Sequence, residues 1–166
     1  MQATERKNVL AVIFAVFSII SILAIFILTE QTPIDTTTES NFFNNILIKL
    51  FGNISFAYNP DTNLWFGLDI RYWAHTIEFF FLGLFTAFSS YFFLKPNKIK
   101  AGAVALIICC ACSIFDQCHK LFVPGRHFDW LDLGMDAIGY ITAIVVILII
   151  SSIWSQISYR LHAKQQ

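Results

Sequence analysis

Residues 8–28, NVLAVIFAVFSIISILAIFIL, form an uncharged and almost wholly apolar stretch of 21 residues. A helix needs about 20 such residues to cross the roughly 30 Å of hydrocarbon in a bilayer. Arg6 and Lys7 precede the stretch, as basic residues do in a signal peptide. The stretch is longer than a signal-peptide core, however, and Thr29-Glu30-Gln31 offers no small-residue cleavage site. The sequence therefore predicts an uncleaved membrane anchor.

Three further apolar stretches predict membrane spans at about 71–94, 101–121 and 129–154. Hydrophobic residues make up 57% of the 166 residues and charged residues only 13%, about half the charged share of a soluble domain. We expect one all-α domain over residues 1–166, an integral membrane bundle of four transmembrane helices.

The segment between the first two spans, about 29–70, is polar and predicts a loop rather than a domain. Its apolar residues predict a short helix lying on the membrane surface: Phe42, Phe43, Ile46, Ile48, Leu50 and Phe51.

The basic residues predict the orientation, because Lys and Arg concentrate in cytoplasmic segments. With the N-terminus inside, the cytoplasmic side holds Arg6, Lys7, Lys95, Lys98, Lys100, Arg160 and Lys164. Only Lys49, Arg71, Lys120 and Arg126 remain outside, so we expect both termini in the cytoplasm. The net charge is zero and no basic stripe is present, which argues against a nucleic-acid partner.

Several ionisable residues fall inside the predicted spans, where a charge costs at least about 2.5–3.5 kcal/mol. Arg71, His75 and Glu78 have the i, i+4, i+7 spacing of one helix face. Asp132 and Asp136 are spaced i, i+4, and Asp116 and His119 are spaced i, i+3. At 1.5 Å per residue, the acids Glu78, Asp116 and Asp136 lie at similar depths, roughly 7–10 Å below the outer surface.

This pattern predicts an outward-facing polar site, formed by Arg71, His75, Glu78, Asp116, His119, Arg126, Asp132 and Asp136. The alternative is a hydrogen-bond network that only locks the bundle. Asp129 is interpreted as the N-cap of the last span, and Asp132 could simply favour its helix dipole. Arg71 could extend to the interface, and Lys120 and His127 are interpreted as interfacial anchors.

Two segments resemble the VanZ-like family of small bacterial membrane proteins, named for a teicoplanin-resistance protein. Residues 71–78, RYWAHTIE, followed by Leu82-Gly83, resemble the family's R-x-x-A-H-x-x-E-Y-x-x-L-G helix. Residues 115–139, FDQCHKLFVPGRHFDWLDLGMDAIG, are similar to its D-E-x-x-Q-x-F-x-P-x-R segment and the Asp and Gly that follow. Positions that match this second pattern are Asp116, Phe122, Pro124, Arg126, Asp132 and Gly139.

Two positions depart from that pattern. Gln117 stands where the family usually has Glu, which removes a possible proton carrier, and Lys120 stands where it usually has Gln, which adds a fixed charge. The resemblance implies a multi-pass protein of the bacterial plasma membrane and a role in glycopeptide resistance.

Three functions are compatible with these residues. The first is a non-enzymatic envelope protein that binds an anionic lipid, a cell-wall precursor or a lipoglycopeptide antibiotic through Arg71 and Arg126. The second is a membrane-embedded enzyme that acts on an envelope lipid, in which His75/Glu78 and Asp116/His119 perform acid–base or metal chemistry. The third is a transporter, which would require an oligomer. We expect no cofactor, since the neighbouring cations would repel a metal ion.

Overall fold

The computed structural model describes residues 2–31, 33–51, 57–95 and 97–163. The elements found there are α1 (Gln2–Thr29), α2 (Pro33–Phe51), β1 (Tyr58–Asn59), β2 (Leu64–Trp65), α3 (Ile70–Phe93), α4 (Lys98–Lys120) and α5 (Trp130–Ala163). Lys164, assigned above to the cytoplasmic side, lies outside the described residues, as do the side chains of Arg6 and Lys7.

Four of these helices are long and apolar enough to cross a membrane: Asn8–Thr29, Ile70–Phe93, Lys98–Lys120 and Trp130–Ile157. Their outer surfaces consist of apolar side chains, such as Ile27 and Ile107, which are 65% and 67% exposed. Such surfaces are stable in lipid and costly in water. The predicted all-α membrane bundle is therefore confirmed, and the main difference is that α5 continues nine residues beyond its predicted end at 154.

Helix α3 is the centre of the bundle and packs against α5, α1 and α4, most extensively against α5. Glycine permits the closest approach between α3 and α5. A Cβ atom at Gly83 would lie 2.8 Å from the Cα of Tyr140, and one at Gly139 would overlap the carbonyl oxygen of Thr76. Small residues at helix contacts are the usual means of close packing in lipid.

Polar side chains fix where three of the spans begin. The first N–H groups of a helix have no partner within it, and Asp or Asn at the N-cap can accept their hydrogen bonds. Asp69 accepts from the backbone N–H of Arg71, and Asn97 accepts from that of Lys100. Asp129 accepts from the N–H of Leu131, so the interpretation of Asp129 as the N-cap of the last span is confirmed.

The loop between α1 and α3 is more ordered than the sequence predicts. The helix expected near 42–51 begins at Pro33, and an antiparallel hairpin of β1 and β2 follows it. Asn44 joins the two parts, because its Oδ1 accepts from the indole N–H of Trp65 at 2.7 Å and its amide donates to Asn63. Trp65 also packs against Tyr58. Phe42 and Phe43 remain exposed.

Candidate functional site

The polar residues meet at one end of the bundle, where α1 and α4 end and α3 and α5 begin. We call this the pocket end. Thr29, the last residue of α1, donates its hydroxyl hydrogen bond to Oδ1 of Asp116 on α4. The Nε of Arg126, in the loop between α4 and α5, donates to the carbonyl of Gln31 at 2.9 Å. These contacts join α1 and the residues after it to α4 and to the loop before α5, at the level of the ionisable residues.

The centre of this end is a buried cluster of five ionisable residues: His75, Asp116, Lys120, Asp132 and Asp136. The ammonium of Lys120 lies 3.0 Å from Oδ2 of Asp132, 3.2 Å from Oδ2 of Asp116 and 3.4 Å from Nε2 of His75. Lys120 is only 2% exposed. A lysine enclosed in this way is stable only because the carboxylates compensate its charge.

His75 and Asp136 form the deepest part of the buried cluster. Nδ1 of His75 lies 3.2 Å from Oδ1 of Asp136, while Oδ2 of Asp136 accepts the hydroxyl of Ser113 at 2.8 Å. His75, Asp116 and Asp136 each present one ligand atom, and these atoms all lie within 4.8 Å of one another. Imidazole and carboxylate are ligands for divalent cations, so these three residues could hold a metal ion.

Arg71 connects the buried cluster to the surface. Its Nη2 atom lies 3.2 Å from Oδ2 of Asp129 and 3.6 Å from Oδ1 of Asp132. Partial burial opposes ionisation of Asp129, but the N–H of Leu131, the hydroxyl of Tyr72 and the charge of Arg71 together hold its pKa below the ordinary value. Asp129 is therefore a firmly ionised partner of Arg71.

A cavity of about 410 Å³ opens above the buried cluster, and we call it the pocket. Its charged lining residues are Asp69, Arg71, Lys120, Arg126, His127, Asp129 and Asp132, and Ser40, Asn41 and Asn63 contribute neutral polar groups. Burial lowers the pKa of the Arg126 guanidinium, and repulsion from Arg71 lowers it further. Two arginines thus share one small polar cavity.

The eight predicted site residues are only partly brought together. His75, Asp116, Asp132 and Asp136 form the buried cluster, and Arg71 and Arg126 line the pocket above it. Glu78 is half-buried, and it is not part of the group of ligand atoms formed by His75, Asp116 and Asp136.

His119 lies apart from this group, since the contacts found for it among the described residues are with Glu30 at 3.0 Å and with the rings of Phe26 and Phe115. The proposed acid–base pair of Asp116 with His119 is not formed, because Asp116 contacts Lys120 and Thr29 instead.

Comparison with known proteins identifies a family over most of the chain. The family model described as VanZ/LLP1 matches residues 14–151. The chain belongs to the VanZ/LLP1 family. The matched range includes the membrane-spanning part of α3 and α4, and all eight predicted site residues. No curated protein and no solved structure matches the chain.

Lys120 does not lie where the sequence predicts. The sequence interpretation of Lys120 as an interfacial anchor is wrong, because the residue is enclosed and its ammonium contacts Asp116, Asp132 and His75. Its i, i+4 spacing from Asp116 was the signal that could have revealed this. Gln117 is also fully buried, and its Oε1 accepts the backbone N–H of Asp129 at 3.3 Å. Its side chain therefore holds the loop before α5.

Proposed function

We propose that this VanZ/LLP1 membrane protein binds the anionic group of an envelope amphiphile in the pocket. The candidate ligands are a lipid head group, a lipid-linked cell-wall precursor and a lipoglycopeptide antibiotic. The feature that they share is a phosphate or carboxylate group. Binding of a glycopeptide such as teicoplanin, or of its target, would connect the pocket to resistance. The protein would act as a multi-pass protein of the bacterial plasma membrane, with the pocket on the outer side.

The observation that carries the proposal is the pair Arg71 and Arg126 in one cavity. Repulsion between their guanidiniums is relieved when an anion lies between them. A guanidinium has five N–H donors in a planar arrangement that suits carboxylate and phosphate. Arg71 lines the pocket, and the contacts found for it with Asp129 and Asp132 involve one of its nitrogens, Nη2.

The helix directions support the same ligand chemistry. Helices α3 and α5 both begin at the pocket end, at Ile70 and Trp130. The N-terminus of a helix carries a partial positive charge and favours anions. Asp69 and Asp129 occupy the first N–H groups of these helices, so an incoming anion would be bound mainly by the arginines within the favourable field of both helices.

The size and surroundings of the pocket favour an amphiphile. A volume of about 410 Å³ lies within the usual range of roughly 300–1,000 Å³ for small-molecule sites. This is room for a head group rather than for a whole lipid. Large apolar side chains at the same end are exposed, among them Leu121, Phe122 and Trp130. Acyl chains of a bound amphiphile would remain in the bilayer beside these residues.

The basic residues support an outward orientation of the pocket. Lys98 and Arg160 lie at the opposite end of the bundle, where the Lys98 ammonium donates to Ser151 and Ser155 of α5. Lys95 and Lys100 belong to the same end, between α3 and α4. Because cytoplasmic segments are rich in Lys and Arg, that end would face the cytoplasm.

The second candidate is an enzyme that acts on such an amphiphile. The observation that favours it is the succession Asp132, His75, Asp136, in which the pocket-lining Asp132 lies 3.6 Å from Nε2 of His75. An imidazole between two carboxylates is suited to proton transfer. Release of a cleavage product from a lipid phosphate or lipid diphosphate, lost in Asp132→Asn, would favour the enzyme over simple binding.

The test begins with protein extracted in mild detergent, whose bound lipids are identified by mass spectrometry. We expect an anionic amphiphile in wild type and its loss in Arg71→Gln. The matched control is Lys49→Gln, which removes one exposed positive charge from α2 outside the pocket lining. Equal retention in both variants would contradict the proposal.

A further comparison separates the sources of the anion. Host cells with and without the gene are tested for teicoplanin sensitivity, and the protein in nanodiscs is titrated with an anionic phospholipid or with teicoplanin. A change in sensitivity together with direct binding of teicoplanin assigns the antibiotic. Unchanged sensitivity with phospholipid binding assigns a lipid head group. Binding of neither would overturn the proposal.

A further inference from the structure

Two polar atoms deep in the bundle face each other without a hydrogen-bond partner. These are Nδ1 of His75 and Oδ1 of Asp136, which lie 3.2 Å apart. Asp136 is fully buried and His75 is about nine-tenths buried. Leaving such atoms without a hydrogen bond costs free energy. A ligand beside these two atoms would supply the missing contacts.

Their separation suits two ligands of one metal ion. Zinc binds nitrogen and oxygen at about 2.0–2.2 Å, which places neighbouring ligand atoms of a tetrahedral site about 3.3 Å apart. A carboxylate oxygen of Asp116 completes a set of three atoms that all lie within 4.8 Å of one another.

The neighbouring residues orient these ligands as in known metal sites, where ligating groups are held by further hydrogen bonds. The Ser113 hydroxyl donates to Oδ2 of Asp136 and leaves Oδ1 directed at His75. The Lys120 ammonium contacts the other ring nitrogen of His75, Nε2. Lys120 therefore leaves the Nδ1 side open to an ion.

The charges around this site favour the binding of a cation. Five aspartates lie in the buried cluster and the pocket lining, against three fixed cations, so the net charge is −2 with neutral histidines: Asp69, Asp116, Asp129, Asp132 and Asp136 against Arg71, Lys120 and Arg126. Uncompensated charge is costly where the surroundings are apolar. A single divalent ion would bring the sum to zero. The cations that argue against a metal on sequence grounds are thus outnumbered.

We propose that His75, Asp116 and Asp136 bind a divalent transition-metal ion, with zinc the best match to one imidazole and two carboxylates. The ligands come from α3, α4 and α5, so the ion would join three spans directly beneath the pocket. This site is separate from the anion-binding pocket, and it does not depend on what the pocket binds.

The experiment uses full-length protein in detergent, stripped with a chelator and titrated with Zn²⁺ by calorimetry. Wild type is expected to bind one Zn²⁺ per chain and to melt at a higher temperature with the ion. Co²⁺ in place of Zn²⁺ is expected to give the visible absorption of a tetrahedral or five-coordinate site. Titrations with Mg²⁺ and Ca²⁺ are expected to show weaker binding, because imidazole is a poor ligand for these ions.

The variants His75→Ala and Asp136→Asn are each expected to weaken Zn²⁺ binding by at least about 100-fold. Ser113→Ala, which leaves all three ligands in place, is expected to weaken it by about 10- to 100-fold. The matched control is His119→Ala, since His119 is paired with the carboxylate of Glu30 away from the site. Circular dichroism and gel filtration check that each variant is folded.

Three results would overturn the inference. The first is absence of stoichiometric Zn²⁺ and Co²⁺ binding in wild type, which would mean that protons compensate the buried carboxylates. The second is unchanged binding in a folded Asp136→Asn variant. The third is equal loss in His75→Ala and His119→Ala, which would assign the ion to another place. If the His75 and Asp136 variants do not fold, the absorption spectrum of wild-type protein with Co²⁺ is the deciding measurement.

Discussion

The Nζ atom of Lys120 lies 3.0 Å from Oδ2 of Asp132, so the last residue of α4 is ion-paired with the first turn of α5. The same ammonium lies 3.2 Å from Asp116. All three side chains are at least about nine-tenths buried. One charge thus compensates two carboxylates from two helices, and the packing of the pocket end depends on it.

Replacing Lys120 with methionine is expected to destabilise the protein strongly. Methionine fills a similar volume but leaves two buried carboxylates without their ammonium, and breaking a buried pair in this way costs about 3–5 kcal/mol. The measurement is the free energy of unfolding in detergent, followed by circular dichroism. Lys98→Met is the control, because that lysine donates to Ser151 and Ser155 at the other end of the bundle, away from the buried carboxylates. Equal losses in the two variants would contradict the prediction.

A second prediction concerns the contact between α3 and α5. A Cβ atom at Gly139 would overlap the carbonyl oxygen of Thr76 and lie 2.9 Å from the backbone nitrogen of Phe80. These are backbone atoms, so the two helices must move apart, and Gly139→Ala is expected to cost about 1–3 kcal/mol or more.

The control for this substitution lies five residues earlier on the same helix. Nothing lies within 4 Å of a Cβ atom at Gly134. Gly134→Ala is therefore expected to leave stability unchanged or to raise it by up to about 1 kcal/mol, since alanine favours helix more than glycine. Thermal unfolding of both variants tests the pair. A neutral Gly139→Ala would show that the helices do not approach this closely.

The four spans could be predicted from sequence because a bilayer imposes a length of about 20 apolar residues on any helix that crosses it. The hairpin of β1 and β2 could not, since each strand has only two residues and a period-2 pattern needs at least about four. Its stability comes instead from contacts distant in sequence, such as Trp65 with Asn44.

The site could be predicted only in part, for a similar reason. Spacing alone places Asp132 and Asp136 on one face of α5, and the structure directs both at His75 of α3. Spacing places both His119 (i+3) and Lys120 (i+4) near Asp116 on α4 and therefore does not say which of the two is buried. The structure buries Lys120 and pairs His119 with Glu30. That choice depends on how α4 is rotated in the bundle, which follows from packing with the other helices.

A third prediction concerns the segment before α3. Asn44 is 3% exposed, and its side chain bonds both Trp65 and Asn63. Asn44→Ala leaves the buried indole N–H of Trp65 without an acceptor, at a cost of about 1–3 kcal/mol. Faster hydrogen–deuterium exchange is expected throughout α2. Exposed Asn45 provides the control, and Asn45→Ala should leave exchange unchanged. Protection in α2 that survives Asn44→Ala would contradict this role.

The fourth prediction uses the pair of Arg71 and Asp129. Asp129→Asn removes the charge that holds Arg71 but retains a good N-cap for α5. Both side chains are partly exposed, so the stability change is expected to be at most about 1 kcal/mol. Because the folded-state pKa of Asp129 lies below its ordinary value, its contribution is present above about pH 4 and is lost as the pH falls through that lower pKa. A wild-type advantage that increases in acid would contradict this assignment.

The same substitution is expected to increase the affinity of the pocket for anions. In wild type the Arg71 guanidinium is ion-paired with Asp129, with 3.2 Å between Nη2 and Oδ2. An incoming phosphate must therefore compete with that carboxylate. Asp69→Asn is the control, since it removes the same charge from the pocket lining. The side chain of Asp69 accepts the backbone N–H of Arg71, and among the described residues no contact is found between Asp69 and the Arg71 guanidinium. Titration with an anionic phospholipid in nanodiscs is expected to give several-fold tighter binding for Asp129→Asn than for Asp69→Asn. An equal increase in affinity for the two variants would mean that anion binding depends only on the total charge of the pocket. A larger gain for Asp129→Asn requires that the Arg71 guanidinium itself contacts the ligand.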